Sequence, residues 1–268
     1  MGIAADHSQD IAEDWHAALA ALAWQVEAGA DECIGDAPVN RYELAAEAPK
    51  PAAARSITQP LAHGPVAGTD AVEIARAAAT QARSLEELRD AITGFDLCEL
   101  KKGARNTVFA DGNPKARVLI LGEAPGADED RDGRPFVGRA GQLLDRMFAA
   151  IGLSRSSPDP ETALYITNVL PWRPPGNRDP EPAEIAMMLP FVERHIALVD
   201  PQVIVVVGNT PLFALTGTKG ILRARGNWSE ALGKPLLPMT HPAYLLRTPS
   251  AKREAWADLL SLQARLRG

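Results

Sequence analysis

From Ala116 onward the chain alternates short apolar runs with longer stretches whose apolar residues recur at helical spacing. Arg117–Leu121, Leu164–Asn168, Val203–Val207 and Pro235–Met239 read as strands. Val203–Val207 is apolar throughout, as a strand covered on both faces must be. Between them, Gly138–Ile151 reads as a helix with Gly152 as its C-terminal cap, and Pro182–Val199 as a helix with Pro182 in its first turn. Thr210–Leu215 starts a short helix, and Lys252–Leu266 closes the chain with another. Strands and helices in this alternation predict an α/β fold: a three-layer, doubly wound sheet of about four parallel strands with helices on both faces.

The first part of the chain has a different texture. Ile11 to Ala28 places Ile11, Trp15, Leu19, Leu22 and Val26 on one helical face. Asp36 to Thr69 is rich in Pro, Ala and Gly without periodicity and reads as a linker. Ser84-Leu85-Glu86-Glu87 is a capping-box signature for a helix ending near Gly94. The expected organisation is a helical extension over 1–35, a linker over 36–69 and an α/β domain over 70–268.

Composition narrows the class. The chain of 268 residues has 46% hydrophobic and 23% charged residues, ordinary values for a soluble globular protein. No apolar stretch approaches the roughly 20 residues of a membrane helix. The N-terminus has no basic region followed by an apolar core, so a cytoplasmic location is expected. Cys33 and Cys98 are too few for a disulfide framework. The net charge of −6 first argues against a nucleic-acid partner, but residues 1–116 hold 10 Lys and Arg against 18 Asp and Glu, whereas 117–268 hold 18 against 16. The acidity belongs to the N-terminal part, and a DNA-binding face needs only local positive charge.

Candidate chemistry collects after strands. Val118-Leu119-Ile120-Leu121-Gly122-Glu123-Ala124-Pro125-Gly126 ends a strand in a Gly/Pro turn carrying a carboxylate, with Glu129 and Asp130 close behind and Arg134-Pro135-Phe136-Val137-Gly138 following. Asn168 ends the second strand and His241 follows the fourth. In a doubly wound sheet these positions face one crevice. Taken singly, each has an ordinary reading: His241 as a loop histidine before proline, Phe136 as core, Asn168 as a cap or turn residue, Arg173–Arg178 as a solvated loop. The acidic run Asp128–Asp132 lacks clustered histidines and calcium-loop glycine spacing, so no metal site is expected.

Taken in order, the motifs resemble those of uracil-DNA glycosylases of the family 4 type. The matching segments are Gly122-Glu123-Ala124-Pro125-Gly126 with Glu129-Asp130, Gly133–Gly138, Thr167-Asn168-Val169, Arg173-Pro174-Pro175-Gly176-Asn177-Arg178, Arg225-Gly226 and His241-Pro242-Ala243-Tyr244-Leu245-Leu246-Arg247, within residues 95 to 266. The resemblance implies a uracil-DNA glycosylase-like fold and excision of uracil from single- or double-stranded DNA, by a monomer acting in a bacterial-type cytosol on a base flipped out of the stack. Gly122, Ala124, Phe136, Asn168 and His241 would form the uracil site. Glu123, Glu129, Asn177 and His241 would carry the chemistry. Arg173, Arg178, Tyr244, Leu245, Arg247 and Lys252 would contact DNA, with Tyr244–Arg247 as a loop whose apolar wedge fills the gap left by the flipped base. Better-known members of the superfamily have an aspartate where this chain has Ala124.

The family pattern also implies a [4Fe–4S] cluster on four cysteines. Here the four positions are Phe95, Cys98, Trp172 and Met188. One thiolate cannot hold such a cluster, so none is expected, and Trp172 and Met188 are expected to fill its volume as apolar core. Two other readings stand beside the glycosylase. One is a DNA-binding or damage-sensing module with weak turnover, motivated by Ala124. The other is a hydrolase of free nucleosides, disfavoured by the wedge segment and its arginines.

Overall fold

The structure is a computed structural model that describes residues 67–267, with side chains from Ala71 onward. The expected Ile11–Ala28 helix and most of the 36–69 linker lie outside the described residues. The last linker positions, 67–69, belong to the first described helix.

The elements follow in chain order. Helices α1 (Ala67–Gln81), α2 (Leu85–Thr93) and α3 (Leu100–Gly103) precede strands β1 (Ala110–Gly112) and β2 (Val118–Gly122). Then come α4 (Ala127–Asp132), α5 (Arg139–Ala149), β3 (Leu164–Asn168), α6 (Pro182–Val199), β4 (Val203–Val207), α7 (Asn209–Thr216) and α8 (Ile221–Ala224). Strands β5 (Ser229–Ala231) and β6 (Lys234–Met239), then α9 (Pro242–Arg247) and α10 (Lys252–Leu266), complete the domain. The sheet has six strands in the order β1-β3-β2-β4-β6-β5. Its four central strands are parallel, as expected, and two three-residue antiparallel edges, β1 and β5, extend it. Those edges are too short and too polar to give an alternation signal.

Every residue of β2, β3 and β4 is buried, which explains their unbroken apolar character. Alternate side chains enter two cores. Leu119, Leu121, Ile204, Val206 and Leu236 face one core with α1, α2 and α6. Val118, Ile120, Val205, Leu237 and Met239 face the other with α5 and α10. Each such side chain contributes about 1.5–3 kcal/mol through burial. The Ser84 hydroxyl accepts from the Glu87 N–H at 3.1 Å, so the capping signature is realised at α2. At the far end, Arg225 pairs with the buried carboxylate of Asp258 and with the Glu254 carbonyl, fastening α10 to the turn before β5. A Cβ on Gly226 would lie 2.6 Å from Asp258 Oδ1, so the Arg225-Gly226 pair is a docking device for that helix.

The topology positions the site. β2 lies between β3 and β4: the chain steps from β2 to β3 on one side, then crosses back over β2 to reach β4 on the other. A crevice opens above the carboxyl ends at such a switch point.

Candidate active site

A cavity of about 1040 Å³ occupies that crevice. Glu123, Ala124, Phe136 and His241 line it; Gly122 and Asn168 are not part of its wall and lie against the Phe136 ring and one another. Gly122 and Asn168 are register partners on β2 and β3. A Cβ on Gly122 would lie 2.3 Å from Asn168 Oδ1 and 2.6 Å from the Phe136 ring, so a hydrogen at this position lets the amide and the ring converge. Asn168 is 7% exposed, and its Oδ1 has no hydrogen-bond partner. A buried carbonyl oxygen without a donor costs about 1–3 kcal/mol, which a ligand donor would recover.

Phe136 is held in an uncommon conformation. Its φ is 54°, in the left-handed region that side chains other than glycine rarely adopt. Three constraints keep it there. Arg155 donates from Nη1 to the Pro135 carbonyl at 2.8 Å and from Nη2 to the Phe136 carbonyl at 2.9 Å. Asp111 and Asp145 in turn hold that guanidinium. Gly141 admits the Phe136 carbonyl where a Cβ would sit 1.8 Å from its oxygen. Asn177 is also left-handed, with φ 54°. Strain of this kind gathers where a site must be preformed. Arg155 and Gly141 escape a motif-based reading because neither touches the cavity.

Glu129 supplies the third constraint. Its Oε1 accepts from the Val137 and Gly138 N–H groups, both at 2.9 Å, and its Oε2 from the Gly126 N–H at 3.1 Å. Both oxygens accept from backbone N–H groups, so Glu129 ties the start of α4 to the start of α5 while also lining the cavity. Glu123 is differently placed. Burial pushes its carboxyl above the ordinary value, the Thr210 hydroxyl opposes that shift, and Asp179 adds to it.

His241 faces the Phe136 ring, with centroids 5.6 Å apart. Its Nδ1 accepts from the Ala243 N–H at 3.1 Å. Burial, with Arg247 adding and Glu129 opposing, lowers its pKa to about 4. The ring is therefore neutral at pH 7, and because Nδ1 is an acceptor, the proton sits on Nε2. His241 enters the cavity as a neutral donor.

The expected DNA-contacting residues divide. Tyr244 and Arg247 line the cavity. The expected wedge loop is instead helix α9, and Leu245 is 1% exposed, packed with Leu143, Ala251 and Ala255. Leu245 thus anchors α9, a correction to its assignment as wedge: the Pro242 start and the His241 cap drive the segment into a helix that turns Leu245 inward. Arg178 is paired with both carboxylate oxygens of Glu184, at 2.6 and 3.0 Å, and so is committed within the protein. Arg173 Nε donates to Asn177 Oδ1 at 2.7 Å, and Asn177 lines the cavity. Lys252 is exposed at the start of α10 and is not part of the cavity wall.

The four positions of the expected cluster site pack in one core. Phe95, Cys98, Trp172 and Met188 are each at most 5% exposed. Phe95 meets Phe191 edge-on at 5.3 Å, and Trp172 Nε1 donates to Thr107 Oγ1 at 3.1 Å. Burial raises the Cys98 thiol pKa, which favours the neutral thiol over a ligating thiolate. The described residues contain no group of three or more His, Cys, Asp or Glu able to hold a metal. This donor set does not fit a four-thiolate cluster.

Comparison with known proteins bears on the same segment. The family model of the Uracil DNA glycosylase superfamily matches residues 109–260. The Type-4 uracil-DNA glycosylase of Thermotoga maritima is 39% identical over 174 residues, covering 64% of this chain and 88% of the relative. That of Archaeoglobus fulgidus is 40% identical over 185 residues, covering 65% and 89%. A Type-5 uracil-DNA glycosylase of Thermus thermophilus is more distant, 33% identical over 134 residues, with 47% and 61% covered. Because the match runs from β1 into α10 and takes in the whole crevice, the chain belongs to the uracil-DNA glycosylase superfamily, on its family 4 side.

Proposed function

We propose that this protein is a monofunctional uracil-DNA glycosylase of base excision repair, hydrolysing the bond between uracil and deoxyribose to leave an abasic site. The observation that carries the residue-level reading is the partnerless Oδ1 of Asn168 beside Phe136 and the neutral His241. Asn168 Oδ1 accepts from uracil N3–H, and its amide N–H donates to O4. Cytosine reverses both groups and would leave buried polar atoms unpaired, at about 1–3 kcal/mol each. Phe136 covers the base face. As the C1′–N1 bond breaks, electrons move onto the uracil, and the His241 Nε2–H donates to O2 where that charge grows. One such preorganised donor is typically worth about 3–4 kcal/mol.

Water adds at C1′ while the sugar carries positive character, and the proton it gives up passes by way of a carboxylate or solvent to the departing uracil anion, which leaves as neutral uracil. Glu123 is the cavity carboxylate suited to stabilise that cation or to orient the water, with Asn177 across the cavity. Glu129 holds the Phe136 loop in position for both. Arg247 makes no ion pair among the described residues and is suited to a DNA phosphate, as are Arg173 and Lys252; Tyr244 supports the strand at the cavity mouth. Gly122 and Ala124 leave room for the base.

The four packed positions support a protein without an iron–sulfur cluster. The acting form proposed here is a monomer. No described helix is long and apolar enough to cross a membrane, in keeping with the proposed cytoplasmic location.

Incubation with uracil-containing single- and double-stranded oligonucleotides, followed by alkali, tests the activity. Strand cleavage is expected with wild type, together with a loss of at least a hundredfold in Asn168→Ala. Binding without cleavage would overturn the catalytic reading, and cleavage of deoxyuridine alone would overturn the DNA substrate.

A further inference from the structure

Glu123 is fixed at both ends. Its carbonyl accepts from the Leu170 N–H at 3.0 Å, pinning the backbone beside β3. At the other end, Thr210 Oγ1 donates to Glu123 Oε2 at 2.5 Å. Thr210 comes from the first turn of α7, after the left-handed Gly208 with φ 106°. Its neighbour Asn209 is occupied elsewhere, accepting from the Gly220 and Ile221 N–H groups at 3.2 and 2.8 Å and fixing the loop that follows α7. Both Thr210 and Glu123 line the cavity, and Oε1 of Glu123 takes no hydrogen bond among the described residues.

From this we infer that Thr210 is a positioning residue for Glu123: its hydroxyl holds one carboxylate oxygen and leaves the other directed to the reacting sugar or its water. The inference rests on the reading of Glu123 given above. A free carboxylate on a short stem samples several rotamers, and desolvation favours its protonated form. One hydroxyl donor acts against both, selecting a rotamer and stabilising the anion. No other described side chain performs this for Glu123.

The charged and titratable groups that share the cavity with Glu123 are Asp179 and Arg178 from the segment before α6, Glu129 from α4, Lys219 from the loop after α7, and His241 and Arg247 at α9. Burial raises the Glu123 carboxyl most, and Asp179 raises it further. The Thr210 donor lowers the carboxyl pKa, so its removal raises it. The carboxylate then persists only at higher pH.

The test is the pH profile of single-turnover excision from a uracil-containing single-stranded oligonucleotide, using the full chain. Thr210→Val keeps the shape and removes the donor. Its maximal rate is expected to fall about tenfold with little change in KM, and the acid limb to move to higher pH. Thr210→Ser restores the hydroxyl and is expected to return both rate and limb toward wild type. Glu123→Gln is the control for the underlying reading, with excision falling far more than in Thr210→Val. If Glu123→Gln is crippled while Thr210→Val keeps the wild-type rate and limb, the positioning role is overturned and the reading of Glu123 stands. A slow Thr210→Val whose limb is unmoved, or one that serine does not rescue, also overturns it. If Glu123→Gln is fully active, the reading of Glu123 falls and the inference with it.

Discussion

Arg155 holds Phe136 by its main chain: Nη2 donates to the Phe136 carbonyl at 2.9 Å while the ring projects toward the cavity. The stacking surface is thus aimed by a residue that never meets it. Arg155→Met is expected to release the left-handed turn, lowering kcat/KM by about 10- to 100-fold, since a small misplacement in a preorganised site has effects of that size. Losing the two carbonyl contacts should also lower stability by about 1–3 kcal/mol. Steady-state excision with thermal melting checks both, and an unchanged kcat/KM would show that the turn holds itself.

Gly122 tests the floor of the pocket. Gly122→Ala places a methyl group 2.3 Å from Asn168 Oδ1 and 2.6 Å from the Phe136 ring, so one of them must move. Excision is expected to fall at least a hundredfold. The defect should appear as weakened inhibition by free uracil, measured on folded protein.

His241 makes a prediction about pH. With a pKa near 4 it stays neutral through the physiological range, and protonation at Nδ1 would oppose the Ala243 N–H. An imidazole NMR titration is expected to place its midpoint near 4; a midpoint near the ordinary value of about 6.5 would contradict the donor assignment. His241→Gln should reduce kcat by about 10²–10³-fold.

His195 governs acid stability. It is buried between Phe109, stacked at 4.4 Å, and the Tyr165 hydroxyl at 2.8 Å, and burial lowers its pKa to about 3. Below about pH 6.5 the unfolded chain binds a proton here and the folded chain does not, so stability falls with pH until roughly pH 3. His241 adds the same sign down to about pH 4. Urea unfolding at pH 7, 6, 5 and 4 is expected to show a shallower decline in His195→Gln than in wild type.

The packed cluster site yields a pair of substitutions. Cys98→Ala should leave excision unchanged and lower stability by about 1 kcal/mol, the loss of one small buried group. Trp172→Ala should cost about 3–5 kcal/mol, because a large side chain leaves a cavity and Thr107 loses its donor. Stoichiometric iron in purified wild type, or inactivity of Cys98→Ala, would contradict the proposed absence of a cluster.

Long periodic elements were legible in the sequence. Pro182–Val199, Lys252–Leu266, Leu164–Asn168 and Val203–Val207 have the expected bounds, because fully buried strands and amphipathic helices write their environment into every residue. Helix α4 hides within an acidic run, since its capping partner is Glu129 itself. Segment Pro242–Arg247 reads as loop from its opening motif and folds as helix once Leu245 finds its apolar seat. At the site, the motif-bearing Glu123, Phe136 and His241 were found. Arg155 and Thr210 were not, because their contributions are contacts with residues distant in sequence, and no local pattern records such a contact.

The pocket walls come from the ends of separate strands, β2, β3, β4 and β6, with Phe136 supplied by the turn before α5. None of these segments can form a partial site alone, and Phe136 meets His241 only after the central sheet has assembled in its final order. Recovery of excision during refolding is therefore a clock for the last step of folding. Secondary structure can return well before it.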